Sequence, residues 1–162
     1  MEFKNKVVIV TGGAQGIGKT IAEEFQKQGA IVCSIDKQPG VYFTGDRMSQ
    51  PQTESYTAAK GGISALTHAL AVSLAGRVRV NSISPGWIDT DFTEYTGADA
   101  VQQPVHRVGN PMDIANMVLF LCSEKAGFIT GENICIDGGM TKQMIYHGDC
   151  GWTLDMKSKE IE

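Results

Sequence analysis

Short apolar runs alternate along the chain with stretches in which apolar residues recur at helical spacing. The first run is Val7–Val10 and the second is Ala30–Ile35. Between them, Ile17, Ile21 and Phe25 repeat every four residues, which predicts one buried face of a helix. The runs are continuously apolar rather than alternating, and this is typical of parallel strands covered on both faces. The chain therefore opens with the pattern of a βαβ unit.

The same alternation continues to about residue 141. The later candidate elements are a short strand at Val41–Thr44, a helix from about Glu54 to Ala75, a strand at Val78–Ser84, a helix starting at Asn110 and a strand at Asn133–Ile136. This order predicts an α/β fold, a Rossmann-like doubly wound parallel sheet of about five strands with helices on both faces. We expect residues 1–141 to form this domain and residues 142–162 to be a C-terminal tail.

Two local signals refine the helices. Asn110, Pro111 and Asp113 have the residue types of an N-cap, a first helical position and the acidic half of a capping box. Gly61 and Gly62 lie inside the preceding helix, where each costs about 1 kcal/mol relative to alanine. We therefore expect another element to pack closely against these two glycines.

Composition limits the function classes. The chain has 162 residues and a net charge of −4, with no basic block, so nucleic acid and anionic membranes are poor candidate partners. Its four cysteines show no metal-ligand spacing, and its three histidines are scattered, so we expect no metal site. Cys33 and Cys135 lie in strand-like runs and are expected to be buried. A cytoplasmic location fits this cysteine usage.

A glycine-rich segment, Thr11–Gly18, directly follows the first strand. A strand that ends in a glycine turn and leads into a helix can hold a pyrophosphate, because the helix amides and dipole favour an anion there. Gly12 allows the tight turn, Gly16 lets the backbone approach the phosphates, and Gly18 lets the helix pack closely on the strand. The segment therefore predicts a dinucleotide site.

The second strand ends in Asp36, where the adenosine ribose of a bound dinucleotide should lie. A carboxylate there accepts a hydrogen bond from the ribose 2′-hydroxyl and repels a 2′-phosphate, which favours NAD. Gln15 supplies no compensating cation, although Lys37 could, so NADP stays open as the less favoured cofactor.

Tyr56 and Lys60 are four residues apart on the predicted helix and so share a face. An ammonium near a phenol stabilises the phenolate, and the pair can then exchange a proton with a hydroxyl or carbonyl. Taken alone, a pair with this spacing is more often part of a solvated helix face.

Four motifs together resemble the short-chain dehydrogenase/reductase family, including members that reduce acyl-carrier ketones. They are, in order, Thr11-Gly12-x-x-x-Gly16-x-Gly18, Tyr56-x-x-x-Lys60, Asn81-x-x-x-Pro85-Gly86 with Thr90 four residues on, and Ile136-Asp137-Gly138-Gly139. The resemblance covers residues 5–141. It implies hydride transfer between a nicotinamide and a small-molecule alcohol or ketone.

The resemblance also implies roles for individual residues. Tyr56 would be the catalytic acid/base, and Lys60 would bind the nicotinamide ribose and tune Tyr56. The other implied cofactor contacts are Gly12, Gln15, Gly16, Ile17, Gly18, Asp36, Asp46, Pro85, Gly86, Ile88 and Thr90. Of these, Ile88 and Thr90 would support the carboxamide.

The chain departs from the family pattern between Asp46 and Tyr56. Relatives run to roughly 250 residues as one domain, with sheet order 3-2-1-4-5-6-7. About two helix-strand units are missing here, including the Asn-Asn-Ala-Gly strand and the strand that carries the catalytic serine. Phe43 stands at the serine position by family spacing, and Thr44 is one residue out of register.

We expect the sheet to close over this gap, with the Val78–Ser84 strand beside Val7–Val10. The competing outcomes are a domain-swapped dimer and a chain that aggregates. A homo-oligomer would then depend on the last helix and the last strand.

Three functions remain open from the sequence. The first is an NAD(P)-linked oxidoreductase impaired by the missing serine, the second a dinucleotide-binding module without turnover, and the third an internally deleted remnant without activity.

Overall fold

The structure is a computed structural model that describes residues 2–35, 54–144, 148–151 and 153. Within these ranges the strands are β1 (Val7–Thr11), β2 (Ile31–Ile35), β3 (Ser82–Pro85) and β4 (Asn133–Ile136). The helices are α1 (Gly16–Lys27), α2 (Glu54–Ser73), α3 (Ala98–Val101) and α4 (Pro111–Cys122), with 3-10 turns at Glu124–Ala126, Met140–Lys142 and Asp149–Gly151. The candidate strand Val41–Thr44 lies outside the described residues. The α/β class with parallel strands is confirmed.

The four strands form two parallel pairs. β1 pairs with β2 from Val7 opposite Ile31 to Thr11 opposite Ile35, and β3 pairs with β4 from Ser82 opposite Asn133 onward. Among the described residues no ladder joins β3 to β1. The expectation that the Val78–Ser84 strand lies beside Val7–Val10 is therefore wrong. The two strands that would lie between them in the family order are missing from the chain, and β3 has not closed the gap.

β3 starts later than expected, at Ser82 rather than Val78, and the residues before it bind the segment that leads into β4. The Arg79 guanidinium donates to the carbonyl oxygens of Leu121 (2.5 Å) and Ile129 (3.1 Å). The Asn81 amide donates to the Ile129 oxygen at 3.0 Å. These bonds attach the end of α4 and the following turn to β3, which explains why β3 stays with β4.

The two strand pairs are joined by helix packing. α1 packs on β1 and β2 and also against α4. Phe25 of α1 is buried with its ring edge-on to Phe3, 4.9 Å between centroids. On α4, Ile114 and Ala115 are buried in the same way. Packing of apolar side chains between α1 and α4 thus provides part of the connection that a continuous hydrogen-bond ladder provides in a complete sheet.

The start of α4 follows the sequence prediction. Asn110 Oδ1 accepts from the backbone N–H of Met112 (2.9 Å), and the Asp113 carboxylate accepts from the backbone N–H of Asn110 (2.8 Å), so the capping box is confirmed. Asp113 also binds the Arg107 guanidinium through two hydrogen bonds, which hold the pKa of its carboxyl below the usual value. The loop before α4 is thereby fixed to the helix start.

One face of the β1–β2 pair is open. Its side chains point away from α1, and Val7, Ile9, Ile31 and Ile35 are 54–70% exposed. Cys33 lies on the same face and is also exposed, so the expectation that it is buried is wrong; Cys135 is half-buried. The apolar pattern of these strands predicts coverage on both faces, but in the described residues the second covering layer is absent.

α2 packs against β3 through a narrow face. Thr67 and Ala71 are buried, and Ala71 Cβ lies beside Gly131 just before β4. A Cβ added to Gly61 or Gly62 would meet nothing within 4 Å. The expectation of a close neighbour at these glycines is therefore wrong for the described part of the chain.

Gly62→Ala is expected to stabilise the fold by about 1 kcal/mol, because alanine costs less backbone entropy in a helix and the added methyl has open space. Urea unfolding followed by circular dichroism measures the change. Gly18→Ala is the contrasting variant, since its Cβ would lie 2.0 Å from the Gly12 oxygen, and it should destabilise. A loss of stability in Gly62→Ala would contradict the open environment of α2.

Candidate functional site

The glycine-rich turn between β1 and α1 has the geometry that its sequence predicts. Gly12 and Gly16 have φ angles of +73° and +51°, a region that glycine adopts without strain. A Cβ on Gly18 would lie 2.0 Å from the Gly12 carbonyl oxygen. Glycine at position 18 is therefore required for α1 to start this close to the end of β1.

The first turn of α1 is open to a ligand. Its N-cap, Gln15, makes no side-chain capping hydrogen bond, whereas Asn110 caps α4 fully. The early N–H groups of a helix have no partner within the helix and attract anions. Gln15 is exposed at this end and Ile17 is half-buried. The Gly12 N–H donates to the Ile35 oxygen at 2.6 Å and ties the turn to the end of β2.

Two predicted contacts, Asp36 and Asp46, lie outside the described residues. Asp36 directly follows Ile35, the last residue of β2, which is bound to Gly12. The structure therefore describes the residue to which Asp36 is joined but not the position of the Asp36 carboxylate.

The segment after β3 reaches the glycine turn from the other strand pair. A Cβ on Gly16 would lie 3.3 Å from Thr90 Cγ2, so these two residues are neighbours. A backbone bridge between Ile88 and Gly109 closes the base of the loop. Asp89 accepts hydrogen bonds from the N–H groups of Asp91 and Thr93 and fixes the turn after Thr90. The carboxyl ends of β1 and β3 are thereby brought together.

Pro85 and Gly86 form the junction between β3 and this loop. Pro85 is the last residue of β3, and the Gly86 N–H donates to the Ile136 oxygen at 2.8 Å. A Cβ on Gly86 would lie 2.6 Å from Asp137 Cα. Glycine at position 86 therefore allows the chain after β3 to pass close to the turn after β4.

The turn after β4 depends on Asp137, whose role the sequence analysis missed. Its carboxylate accepts from the N–H groups of Gly139 (2.9 Å) and Thr141 (2.8 Å). Burial alone would raise its pKa, but the hydrogen bonds from Thr141, Gly139 and Cys135 outweigh it and lower the pKa to about 2. The signal was available in the sequence, because an aspartate before two glycines is typical of a turn closed by its own side chain.

Tyr56 and Lys60 share a face of α2 as predicted. Both side chains are half-buried, and Lys60 Nζ lies 5.3 Å from the centroid of the Tyr56 ring. An ammonium at this distance is attracted by the negative face of the aromatic ring. The positive charge is thus held close to the phenol.

The direction of α2 brings these two residues to the carboxyl edge of β3 and β4. Gly131 lies against Ala71, whereas Asn133 binds Ser64 Oγ at 2.9 Å, so α2 runs antiparallel to β4. Tyr56 precedes Ser64 by eight residues, about 12 Å of helix. The three residues that follow Asn133 in β4 span about 10 Å. Tyr56 is therefore level with the end of β4.

Two cavities lie beside the loop that joins β3 to α4. One, of about 430 Å³, is lined by Asp89, Phe92, Thr93, Tyr95 and Arg107, among others. The other, of about 210 Å³, includes Trp87, Ile88, Gln103, Val105 and Asp137 in its wall. Gln103 is 4% exposed, and its Oε1 has no hydrogen-bond partner among the described residues. The sequence analysis assigned no helix or strand between Ser84 and Asn110, and no motif in that stretch indicates these cavities.

Sequence profiles of two related families match the chain. The short chain dehydrogenase profile matches residues 6–41, and the profile described as Enoyl-(Acyl carrier protein) reductase matches residues 40–141. The chain belongs to the short-chain dehydrogenase/reductase family. Members of this family are oxidoreductases that bind nicotinamide cofactors.

Individual relatives support the same family. An uncharacterized oxidoreductase of Thermotoga maritima is 48% identical over 157 residues, which cover 90% of this chain and 59% of the relative. The 3-oxoacyl-(acyl-carrier-protein) reductase FabG of Aquifex aeolicus is 45% identical over 92 residues, 53% of this chain and 37% of the relative. The chain thus spans about half the length of the curated relatives it matches.

A solved structure matches the fold along most of the chain. It is an apo SCOR enzyme from Clostridium thermocellum, with a TM-score of 0.79 and 31% identity, covering 94% of this chain and 99% of that chain. Within the described ranges, no helix is both long and apolar enough to cross a membrane. Nor does that part of the chain contain a cluster of three or more His, Cys, Asp or Glu side chains placed to hold a metal ion.

Asp137→Asn is expected to destabilise the fold near neutral pH and to flatten its acid unfolding. The folded-state pKa of Asp137, about 2, is below its unfolded value, so its stabilising effect is complete above about pH 4 and is lost as the pH falls towards 2. The asparagine variant should lose less stability over that window. Denaturant unfolding at several pH values measures this. Asp91→Asn, at an exposed aspartate, serves as control. If Asp137→Asn lost as much stability between about pH 4 and pH 2 as the parent, Asp137 would not be the source of the acid sensitivity.

Proposed function

We propose that the chain binds NAD across the two strand pairs and transfers hydride slowly between its nicotinamide and a small alcohol or ketone. The proposal rests on the contact between Gly16 and Thr90, which joins the two strand pairs. The position of Tyr56 along α2 supports it. A ligand lying along this edge would contact both strand pairs. In open α/β sheets, ligands bind outside the carboxyl ends of the strands.

The residues at the glycine turn fit the pyrophosphate of a dinucleotide. Gly12, Gly16 and Gly18 keep the turn free of side chains, and the uncapped start of α1 offers N–H groups to an anion. Gln15 and Ile17 flank these groups. In this proposal Asp36 accepts from the adenosine ribose and Asp46 contacts the same half of the cofactor. The carboxylate of Asp36 favours NAD over NADP.

The remaining predicted residues would serve the nicotinamide half. Pro85, Gly86, Ile88 and Thr90 would support the carboxamide from the loop after β3, and Lys60 would bind the adjacent ribose. When bound, the nicotinamide supplies or accepts the hydride.

Tyr56 would act as the catalytic acid or base. Its hydroxyl would donate a proton to the carbonyl oxygen of a ketone during reduction, or take one from the alcohol in the reverse direction. The nearby Lys60 ammonium stabilises the phenolate that is left. No step here needs a metal ion, because the proton moves between Tyr56 and the substrate oxygen.

A binding module without turnover is the second candidate. Only nine residues lie between Asp46 and Tyr56, and the strand that carries the serine in the family is missing from them. Without that hydroxyl the substrate carbonyl is less polarised, while the glycine turn is unaffected. The two functions differ in one measurable quantity, the rate of hydride transfer once the cofactor is bound.

The purified chain is expected to bind NADH saturably in calorimetry, and NADPH at least about tenfold more weakly. The reason is the open start of α1 next to the acidic end of β2. Gly18→Ala should lose binding, because its Cβ collides with the Gly12 oxygen. Gly62→Ala, whose added methyl meets nothing within 4 Å, should bind as the parent does. Flat calorimetry with folded parent protein would rule out both proposed functions.

Turnover is expected to be roughly 100- to 1,000-fold below that of a full-length relative, the effect of losing one donor to the reacting oxygen. Tyr56→Phe should lower the residual rate by about 100-fold or more while NADH binding changes little. Both are measured by nicotinamide absorbance with a panel of ketones. A parent rate equal to that of full-length relatives would contradict the role of the missing serine. A residual rate unaffected by Tyr56→Phe would favour the binding module.

A further inference from the structure

The face of the β3–β4 pair that α2 covers is polar. Ser84 Oγ donates to Asn133 Oδ1 at 2.9 Å, and Asn133 Nδ2 donates to Ser64 Oγ of α2, also at 2.9 Å. We call these three side chains the Asn133 bridge. Because side chains alternate along a strand, Ser82 and Cys135 lie on this face too, and the intervening isoleucines lie on the opposite face. The strands therefore offer α2 hydrogen-bonding groups rather than large apolar side chains.

α2 brings small side chains to this contact. Its buried residues are Thr67 and Ala71, and Thr67 Oγ1 donates to the Ile63 carbonyl oxygen of the same helix at 2.8 Å. The larger Leu66 and Leu70 are exposed. Large core side chains interdigitate and so resist sliding of one element past another. Apolar packing alone therefore leaves the position of α2 along its own axis weakly determined.

The Asn133 bridge does determine that position, because a hydrogen bond is directional. A shift of α2 by one residue would move Ser64 by about 1.5 Å. The bond from Asn133, now 2.9 Å long, would then exceed the usual limit of about 3.2 Å. Ser84 is 6% exposed and fixes the other end of the Asn133 amide to β3. The bridge thus joins β3, β4 and α2 at one point.

We propose that Asn133 is a positioning residue: by binding Ser64 and Ser84 together, it sets where α2 places Tyr56 and Lys60 at the carboxyl edge of the sheet. The catalytic part of this inference rests on the proposed function. Tyr56 and Lys60 precede Ser64 by about 12 Å and 6 Å of continuous helix, so any displacement of Ser64 reaches both. The separation of Tyr56 from Lys60 would not change, because both belong to the same helix.

Asn133→Leu is the first variant, since leucine has a similar branched shape but can bind neither serine. We expect kcat for hydride transfer to fall at least about tenfold, because small misplacements of a reacting group have large effects on rate. The NADH dissociation constant should change less than about threefold, since the glycine turn is not touched. The pH dependence of kcat should stay the same, because Tyr56 and Lys60 move together.

Two further variants separate the bridge from general destabilisation. Asn133→Asp should retain most of the parent kcat, because a carboxylate can accept from both serine hydroxyls. Ser64→Ala should lower kcat as Asn133→Leu does, and the double variant should show no further loss, since both substitutions break the same bond. Ser73→Ala is the matched control, the same substitution at an exposed position of α2, and should keep the parent kcat.

Hydrogen exchange of the full chain without cofactor tests the position of α2 independently of turnover. Asn133→Leu and Ser64→Ala should speed exchange in residues 56–64 and leave residues 114–121 of α4 as in the parent. A parent without turnover that still shows this pattern would refute the proposed reaction but support the anchoring of α2 by Asn133. Unchanged exchange in α2, equally faster exchange in α4, or additive losses of kcat in the double variant would overturn the inference.

Discussion

The packing of α1 against α4 is the interaction on which the rest of the fold depends. Backbone ladders hold each strand pair together, but among the described residues none connects β1 to β3. Apolar burial on the two helices therefore carries the connection, with Phe25 and Ala115 almost completely inaccessible to solvent. Side-chain packing of this kind is non-directional. The relative position of the strand pairs thus depends on shape rather than on hydrogen-bond register.

This constraint bears directly on the candidate site. The glycine turn belongs to one strand pair, and Thr90, Tyr56 and Lys60 belong to the other. A dinucleotide that contacts both would bind only the arrangement in which they meet, and by linkage it would stabilise that arrangement. In the proposed function, cofactor binding and the integrity of the α1–α4 contact would therefore be coupled. In a complete sheet the ladder would supply this rigidity before any ligand arrived.

The sequence predicted what is encoded locally. The glycine turn, the capping box at Asn110 and the bounds of β4 each depend on residues adjacent in the chain, and the structure agrees with all three. The errors at Cys33 and at Gly61 and Gly62 have a different origin. An apolar alternation records that a face is suited to burial, but the element that buries it is set by distant parts of the chain. Here those parts are missing.

The missing strands bear on packing and on chemistry separately. In the packing, Ile9 and Ile31 on the β1–β2 pair and Leu66 on α2 are left exposed. In the chemistry, the sequence between Asp46 and Tyr56 lacks the strand that carries the serine in the family, so in the proposed reaction Tyr56 and Lys60 would act without it. An element that covered Leu66 would fix α2 and with it the orientation of these two side chains, but it would not replace the serine hydroxyl.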